Sequence, residues 1–223
     1  MIEFRGVTAG GFHAASFALG PSESCRLLLE TETDLTLFLR LLVGTAHPIE
    51  GSVLLFGREP AVIPESEALA LFARLGLVWP AGGFVSNLKT WENILLPIWY
   101  HGDTQAGRRE GEVIDLLGRI GMEPDRIPVF LRALPGTLPA QEQRILGVTR
   151  AMMQDAEVMI YAGLFEGLAG ASRMRLLEET TRHQARRAGR ASLYVAASPQ
   201  GLPDPFDGSS LRQNADGGIA PWP

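Results

Sequence analysis

The segment Leu27 to Gly44, LLLETETDLTLFLRLLVG, gathers the side chains that could do chemistry between two apolar runs. Glu30, Glu32, Asp34 and Thr36 follow a strand-like stretch and lead into a helix-like one, where a phosphate-cradling loop stands in a strand–loop–helix unit. Such a loop needs glycines, so that backbone N–H groups can turn inward, and a lysine to reach the outer phosphates. Laid on the pattern GxxxxGK[ST], the segment puts Leu29 and Asp34 at the glycines, Leu35 at the lysine and Thr36 at the hydroxyl. Only the hydroxyl survives. The three carboxylates would face the bound anion, and one like-charge contact at about 4 Å costs on the order of 4 kcal/mol at an effective dielectric of about 20. The sign is wrong for a triphosphate. Taken locally, ETETD reads as a polar turn in which Asp or Thr caps the next helix.

Composition sets the frame for these residues. The 223-residue chain, 46% apolar, is long enough for one domain with a full core. A net charge of -5 gives no electrostatic case for nucleic acid. The single cysteine, Cys25, excludes an internal disulfide and a cysteine-rich zinc site and fits a reducing compartment. The start, MIEFRGV, reads as a strand and not as a signal peptide, and no run approaches the ~20 apolar residues of a spanning helix. The expectation is a soluble chain that meets a membrane only through a partner.

The elements that must position the segment alternate. Residues 2–8, about 13–19 and 25–29 read as strands, with Gly10 and Gly11 at the first turn. A helix Thr36–Leu42 closed by Gly44, a strand Ser52–Phe56, a helix Ser66–Arg74 and a strand Leu75–Trp79 follow. After a turn at Ala81–Gly83, SNLKTWENILLPIWYHG opens a helix with Thr90 as its cap. Helices Glu112–Ile120 and Pro139–Met153, strand Val158–Tyr161, helix Ser172–Arg187 and strand Ser192–Ala196 complete the order. The tail beyond Ser198 reads as loops and short edge strands. The alternation argues for an α/β fold with a mostly parallel, helix-covered sheet and an antiparallel N-terminal part.

Over nearly its whole length the chain resembles the ATP-binding subunit of ABC transporters. RLLVGTAHPIEGSVLLFG is similar to the helix, turn and strand after that family's phosphate loop, and LGLVWP with NLKTWENILLPIWYHG to the Q-loop strand and the start of the helical subdomain. LPAQEQRILGVTRAMMQDAEVMIYAGLFEGLA resembles the run from the signature motif through Walker B to the D-loop, and FDGSSLRQNADGGIA the closing strands. The ENILLP phrase is similar to lipid-exporting branches, including Mce/Mla-type lipid transporters. The resemblance implies an ABC ATPase-like fold, the P-loop NTPase type. One domain would span 1–223, with 1–80 and 155–223 as the core and about 81–154 as the helical subdomain.

The positions that contact nucleotide in this family depart from its pattern throughout. Pro80 stands at the Q-loop glutamine, and the signature reads Leu138, Pro139, Ala140, Gln141, Glu142 without its serine and glycines. Ala162 and Gly163 stand at the Walker B aspartate and the catalytic glutamate, and Ala169 at the D-loop aspartate. The switch histidine falls at Ala197 or Ser198, and the adenine-stacking aromatic falls near Gly11, where Phe12 or Phe17 would need a register shift. Without those carboxylates nothing holds magnesium through its water shell or polarises an attacking water. ATP and magnesium are therefore expected not to bind, and the chain reads as a pseudo-ATPase, a scaffold or regulator of a membrane transport complex, possibly for lipid. An active ATPase powering export and a free-standing interaction module are the alternatives.

The remaining residues are less pointed. Glu166, just past the lost catalytic glutamate, reads as a solvated loop carboxylate. His13, His47, His101 and His183 lack ligand spacing, and Cys25 reads as a buried thiol. Arg182–Arg190, RHQARRAGR, reads as a solvated last helical turn, with an acidic-lipid or partner patch as the alternative. Phe84, Trp91, Trp99 and Tyr100 occupy the region where the resembled family receives a helix of its membrane permease, and are the partner-docking candidates; core packing is the alternative for each ring. The resemblance implies a permease, another ABC ATPase subunit, or both as partners, in a homo- or heterodimer at the cytoplasmic face of a membrane.

Overall fold

The computed structural model describes residues 1–80, 82–100 and 109–222. It opens with a hairpin of β1 (Ile2–Ala9) and β2 (Phe12–Leu19), then β3 (Ser24–Leu28) and α1 (Glu32–Leu42). β4 (Glu50–Leu55), α2 (Glu65–Phe72) and β5 (Leu75–Val78) follow. Helices α3 (Thr90–Tyr100), α4 (Glu110–Ile120), α5 (Ile127–Arg132) and α6 (Ala140–Met153) lead to β6 (Val158–Ala162). The chain finishes with α7 (Gly170–Ala185), β7 (Ala191–Ala196), β8 (Ser209–Gln213) and β9 (Ile219–Pro221).

Two sheets result. The smaller is antiparallel, in the order β2-β1-β4. The larger runs β5-β6-β7-β3-β8-β9 and is parallel except for β9 against β8. The central strands explain themselves: VMIYA and ASLYVA are buried at every position, as strands covered on both faces must be. This is the α/β order the sequence alternation argues for.

Helix α1 lies against both sheets, packing on β4 and β7. Its buried stripe, Leu35, Phe38, Leu39, Leu41 and Leu42, follows the helical repeat. Phe38 stacks on Phe4 with ring centroids 4.9 Å apart, and Phe4 stacks on Phe17 at 5.0 Å, joining helix to hairpin. Gly44 ends the helix at φ +73°, and a methyl group there would sit 2.5 Å from the Pro60 backbone, so glycine is needed for both reasons. A second apolar cluster joins α3–α7 to the other face of β5–β7, around Ile94, Leu95, Phe130, Leu146 and Phe165.

The structure corrects several expectations. Helix α1 starts at Glu32, a full turn before Thr36, because no glycine interrupts the segment and Thr31 caps it there. Thr90 is the first residue of α3 and not its cap; its hydroxyl donates to Ala133 O at 3.0 Å. The short helix α5 has no counterpart in the sequence reading. β8 is not an edge strand, since it is paired between β3 and β9. Ala81 and His101 lie outside the described residues.

Candidate functional site

In a parallel sheet, ligands collect where the strands end at their carboxyl edge. Three connections meet there: the loop after β3, the loop after β6 and the loop after β7.

The first is only Leu29, Glu30 and Thr31, and two of its three backbone donors are engaged within the protein. Leu29 N–H donates to Ala196 O at 2.8 Å, and Glu30 N–H to Gln213 Oε1 at 3.0 Å. The Thr31 hydroxyl accepts from Asp34 N–H at 3.0 Å and donates to Asp34 Oδ2 at 2.7 Å, while Leu35 N–H bonds Thr31 O at 3.0 Å. Leu29 and Leu35 point into the core, at 2% and 1% exposure. Thr36 faces solvent. Asp34 is buried against the β1–β2 turn, so close that a methyl group on Gly11 would collide with its carboxylate, and Leu37 blocks Gly10 in the same way.

Gln213 completes the closure. It is 3% exposed, accepts from Glu30 N–H and donates through Nε2 to Gly11 O at 2.9 Å, so one amide ties β8, the loop and the hairpin turn together. Nothing in the local sequence marks this glutamine. These residues do not fit a nucleotide triphosphate with magnesium. The N–H groups of Leu29, Glu30, Asp34 and Leu35 have protein partners, a core leucine stands where the cation would reach out, and Glu30 and Glu32 are exposed at the rim.

The second connection follows Ala162, which is buried at the end of β6. Gly163 turns at φ +58°, and a methyl group there would lie 3.6 Å from Pro80 Cβ, so the Q-loop position and the catalytic-glutamate position meet as two apolar surfaces. Glu166 is not a free loop carboxylate: it is half-buried and accepts a short hydrogen bond from the Ser198 hydroxyl. That bond brings together the loops after β6 and β7. Arg173 on α7 reinforces it, with Nη1 donating to Gln200 O at 2.8 Å and to Phe165 O at 3.4 Å, Nη2 donating to Leu202 O, and the guanidinium 5.1 Å from the Phe165 ring. Ala169 holds the N-cap position of α7 without a side-chain bond, apart from this cluster.

Pro139 and Ala140 are exposed at the start of α6, where no side chain caps the helix. A groove of about 140 Å³ brings Ala140 opposite Trp79 and Pro80.

The four aromatic docking candidates divide. Phe84 and Trp91 pack, half-buried, on the helical core cluster. Phe84 also carries the Arg150 guanidinium 5.0 Å from its ring centre, and burial pulls Arg150 below its ordinary pKa. Trp99 and Tyr100, at the end of α3, are 43% and 67% exposed.

Other candidates settle into structural surroundings. His13 and His47 are exposed, and His183 is buried with its pKa lowered to about 3, first by burial and then by Arg190. Cys25 is buried, which pushes its thiol up. The arginine run does form an exposed last turn of α7 at Arg182 and Arg186, but it is paired: both face buried Glu179, Arg187 pairs with Asp155 and Glu157, and Arg190 is itself buried against Asp155. Among the described residues no group of three or more His, Cys, Asp and Glu gathers as a metal site, and no helix is long and apolar enough to cross a membrane.

The whole backbone superposes on a solved dimeric ABC transporter cassette, MJ0796, with a TM-score of 0.82, covering 98% of this chain and 96% of that one at 15% identity. The chain has the ATP-binding cassette fold. A structure described as the ATP-binding subunit of an ABC transporter gives a TM-score of 0.80, at 15% identity over 98% of this cassette and 88% of the other chain. No family model matches the sequence.

Its homologues are ABC-transporter ATP-binding proteins. The methionine import ATP-binding protein MetN 1 of Rhodococcus jostii is 25% identical over 177 residues, 75% of this cassette and 51% of that protein. The macrolide export ATP-binding/permease protein MacB of Burkholderia pseudomallei is 31% identical over 138 residues, 60% of the cassette and 20% of its own length. The match thus spans about half of the first relative and a fifth of the second.

Proposed function

We propose that this cassette is a pseudo-ATPase, a scaffold or regulator in a membrane transport complex that neither binds nor hydrolyses ATP. The observation that carries the reading is the loop after β3, whose N–H groups at Leu29, Glu30, Asp34 and Leu35 are bonded within the protein while Leu35 is buried in the core. Reopening it would break those bonds and expose apolar surface for no lysine in return. The partners in this reading are a permease or an intact ATPase subunit, met as a dimer at the cytoplasmic face, with Trp99 and Tyr100 as the exposed aromatic contacts. Dimeric cassette structures and a homologue that joins ATP-binding and permease functions in its name support it.

The lipid reading rests on the ENILLP phrase alone, and that phrase has a structural explanation. Asn93 is buried and bonds Val85, Leu88 and Lys89, stapling that loop to α3. The proposal therefore stops at a transport complex without a named cargo.

Calorimetry with millimolar MgATP is expected to give no binding heat, and the purified protein no phosphate release. Tight magnesium-dependent binding would sink the reading. One observation favours a working hydrolase, namely the Glu166–Ser198 pair beside Gly163, which keeps a carboxylate near the end of β6. Steady turnover that disappears in Glu166→Gln would establish it.

A further inference from the structure

A cleft of about 470 Å³ lies at the opposite edge of the sheet, where the parallel strands begin. Its walls are α4, the end of α6 running into β6, and the end of α7 running into β7. The volume is in the range of small-molecule sites. Its apolar part is made by Leu116, Met152 and Met153.

Charged groups crowd around it, and they are unequally committed to one another. Glu179, 1% exposed, serves three guanidiniums: Arg119 by two hydrogen bonds of 2.9 and 3.1 Å, Arg182 by one of 2.6 Å, and Arg186 at only 3.8 Å. Asp155 likewise faces both Arg187 and Arg190. Arg109 stands with Glu112 and Asp115 on the solvent side, and the lining holds three guanidiniums, Arg109, Arg119 and Arg186, against three carboxylates, Glu112, Asp115 and Asp155. Arg186 lines the cleft with a guanidinium that makes no hydrogen bond, and on the same wall the buried His183 holds Nε2 without a partner.

We propose that this cleft binds a small organic phosphate, its phosphoryl group held by Arg186 and Arg119 and its carbon body lying on Met152, Met153 and Leu116. Arginine forks match the geometry of phosphate oxygens, and the Arg186 guanidinium has no hydrogen bond to give up on turning to one. The apolar floor selects a phosphate ester over inorganic phosphate. The site is independent of nucleotide binding at the carboxyl edge.

Calorimetry on the full chain at low salt, with hexyl phosphate and inorganic phosphate as the probes, tests the proposal. Hexyl phosphate is expected to bind at least about tenfold more tightly than inorganic phosphate. Arg186→Ala is expected to weaken it at least about tenfold with a nearly unchanged thermal midpoint, because the half-exposed guanidinium makes no hydrogen bond and only a long 3.8 Å ion pair with Glu179. Arg58→Ala, far from the cleft, is expected to change neither. Phosphorus NMR line broadening by wild type but not by Arg186→Ala gives a second readout. No binding of millimolar hexyl phosphate, equal affinity for the two probes, or unaltered binding by Arg186→Ala would overturn the proposal.

Discussion

Gln213 shows how one side chain can decide whether a loop is open. Its amide, 3% exposed, satisfies Glu30 N–H and Gly11 C=O at once through two part-buried hydrogen bonds. Gln213→Leu is expected to leave both groups unpaired and to cost about 2 kcal/mol in urea denaturation. Thr36→Ala, at an exposed position, is expected to cost less than about 0.5 kcal/mol. A threonine that held magnesium in a working site would not be so dispensable to nucleotide binding, so the same variants can be compared there.

His183 sets an acid limit at the same scale. Its imidazole is neutral in the fold, with a pKa lowered to about 3 from 6.5, so below 6.5 the unfolded chain takes up a proton that the folded one refuses. The stability present above pH 6.5 is lost progressively as pH falls towards 3, at about 1.4 kcal/mol per pH unit. Between pH 7 and pH 5 the wild type is expected to lose about 2 kcal/mol more than His183→Gln, measured by denaturation at both values.

At the scale of elements, α1 and α7 carry the changed positions. Helix α1 extends through the segment that a phosphate loop would occupy, and Thr31 holds its start by two bonds with Asp34. Thr31→Ala is expected to cost about 1 kcal/mol. Helix α7 begins on Ala169 with no cap, and Ala169→Asp is expected to gain about 1 kcal/mol in thermal denaturation without restoring ATP turnover. At the other end of α7, Glu179→Ala is expected to cost about 3 kcal/mol, since it strands three guanidiniums around a buried site, each still partly exposed.

The sequence made these helices visible but not their ends. The leucines and Phe38 mark the buried face of α1, while its early start depends on Thr31 and Asp34 bonding each other, a choice the letters ETETD share with an ordinary turn. Glu166 was legible as a carboxylate near a strand end, but its bond to Ser198 joins residues 32 positions apart. The exposed last turn of the arginine run was legible, but its pairing was not, because Asp155, Glu157 and Glu179 come from other parts of the chain or an earlier turn of the helix. Local pattern reports faces; long-range polar partners are set by topology.

At the scale of the molecule, the strand order was readable because β6 and β7 are apolar at every position and β1 alternates. The place of β8 was not, because SSLRQ has too little apolar character to announce an interior strand. Affinity purification of the tagged chain from native membranes in mild detergent is expected to recover a polytopic permease or an intact ATPase subunit. Recovery of soluble proteins alone would move the cassette to a regulator outside any transporter.

β8 also has a consequence for biosynthesis. The loop after β3 is made well before the amide that seals it, which belongs to residue 213. Until β8 joins β3, Glu30 N–H and Gly11 C=O remain without the Gln213 amide, and the hairpin turn lacks that tie to the large sheet. A nascent chain arrested at residue 208 is therefore expected to show fast hydrogen exchange at Glu30, and one extended beyond β8 to slow it. The loop shuts only once β8 has been made.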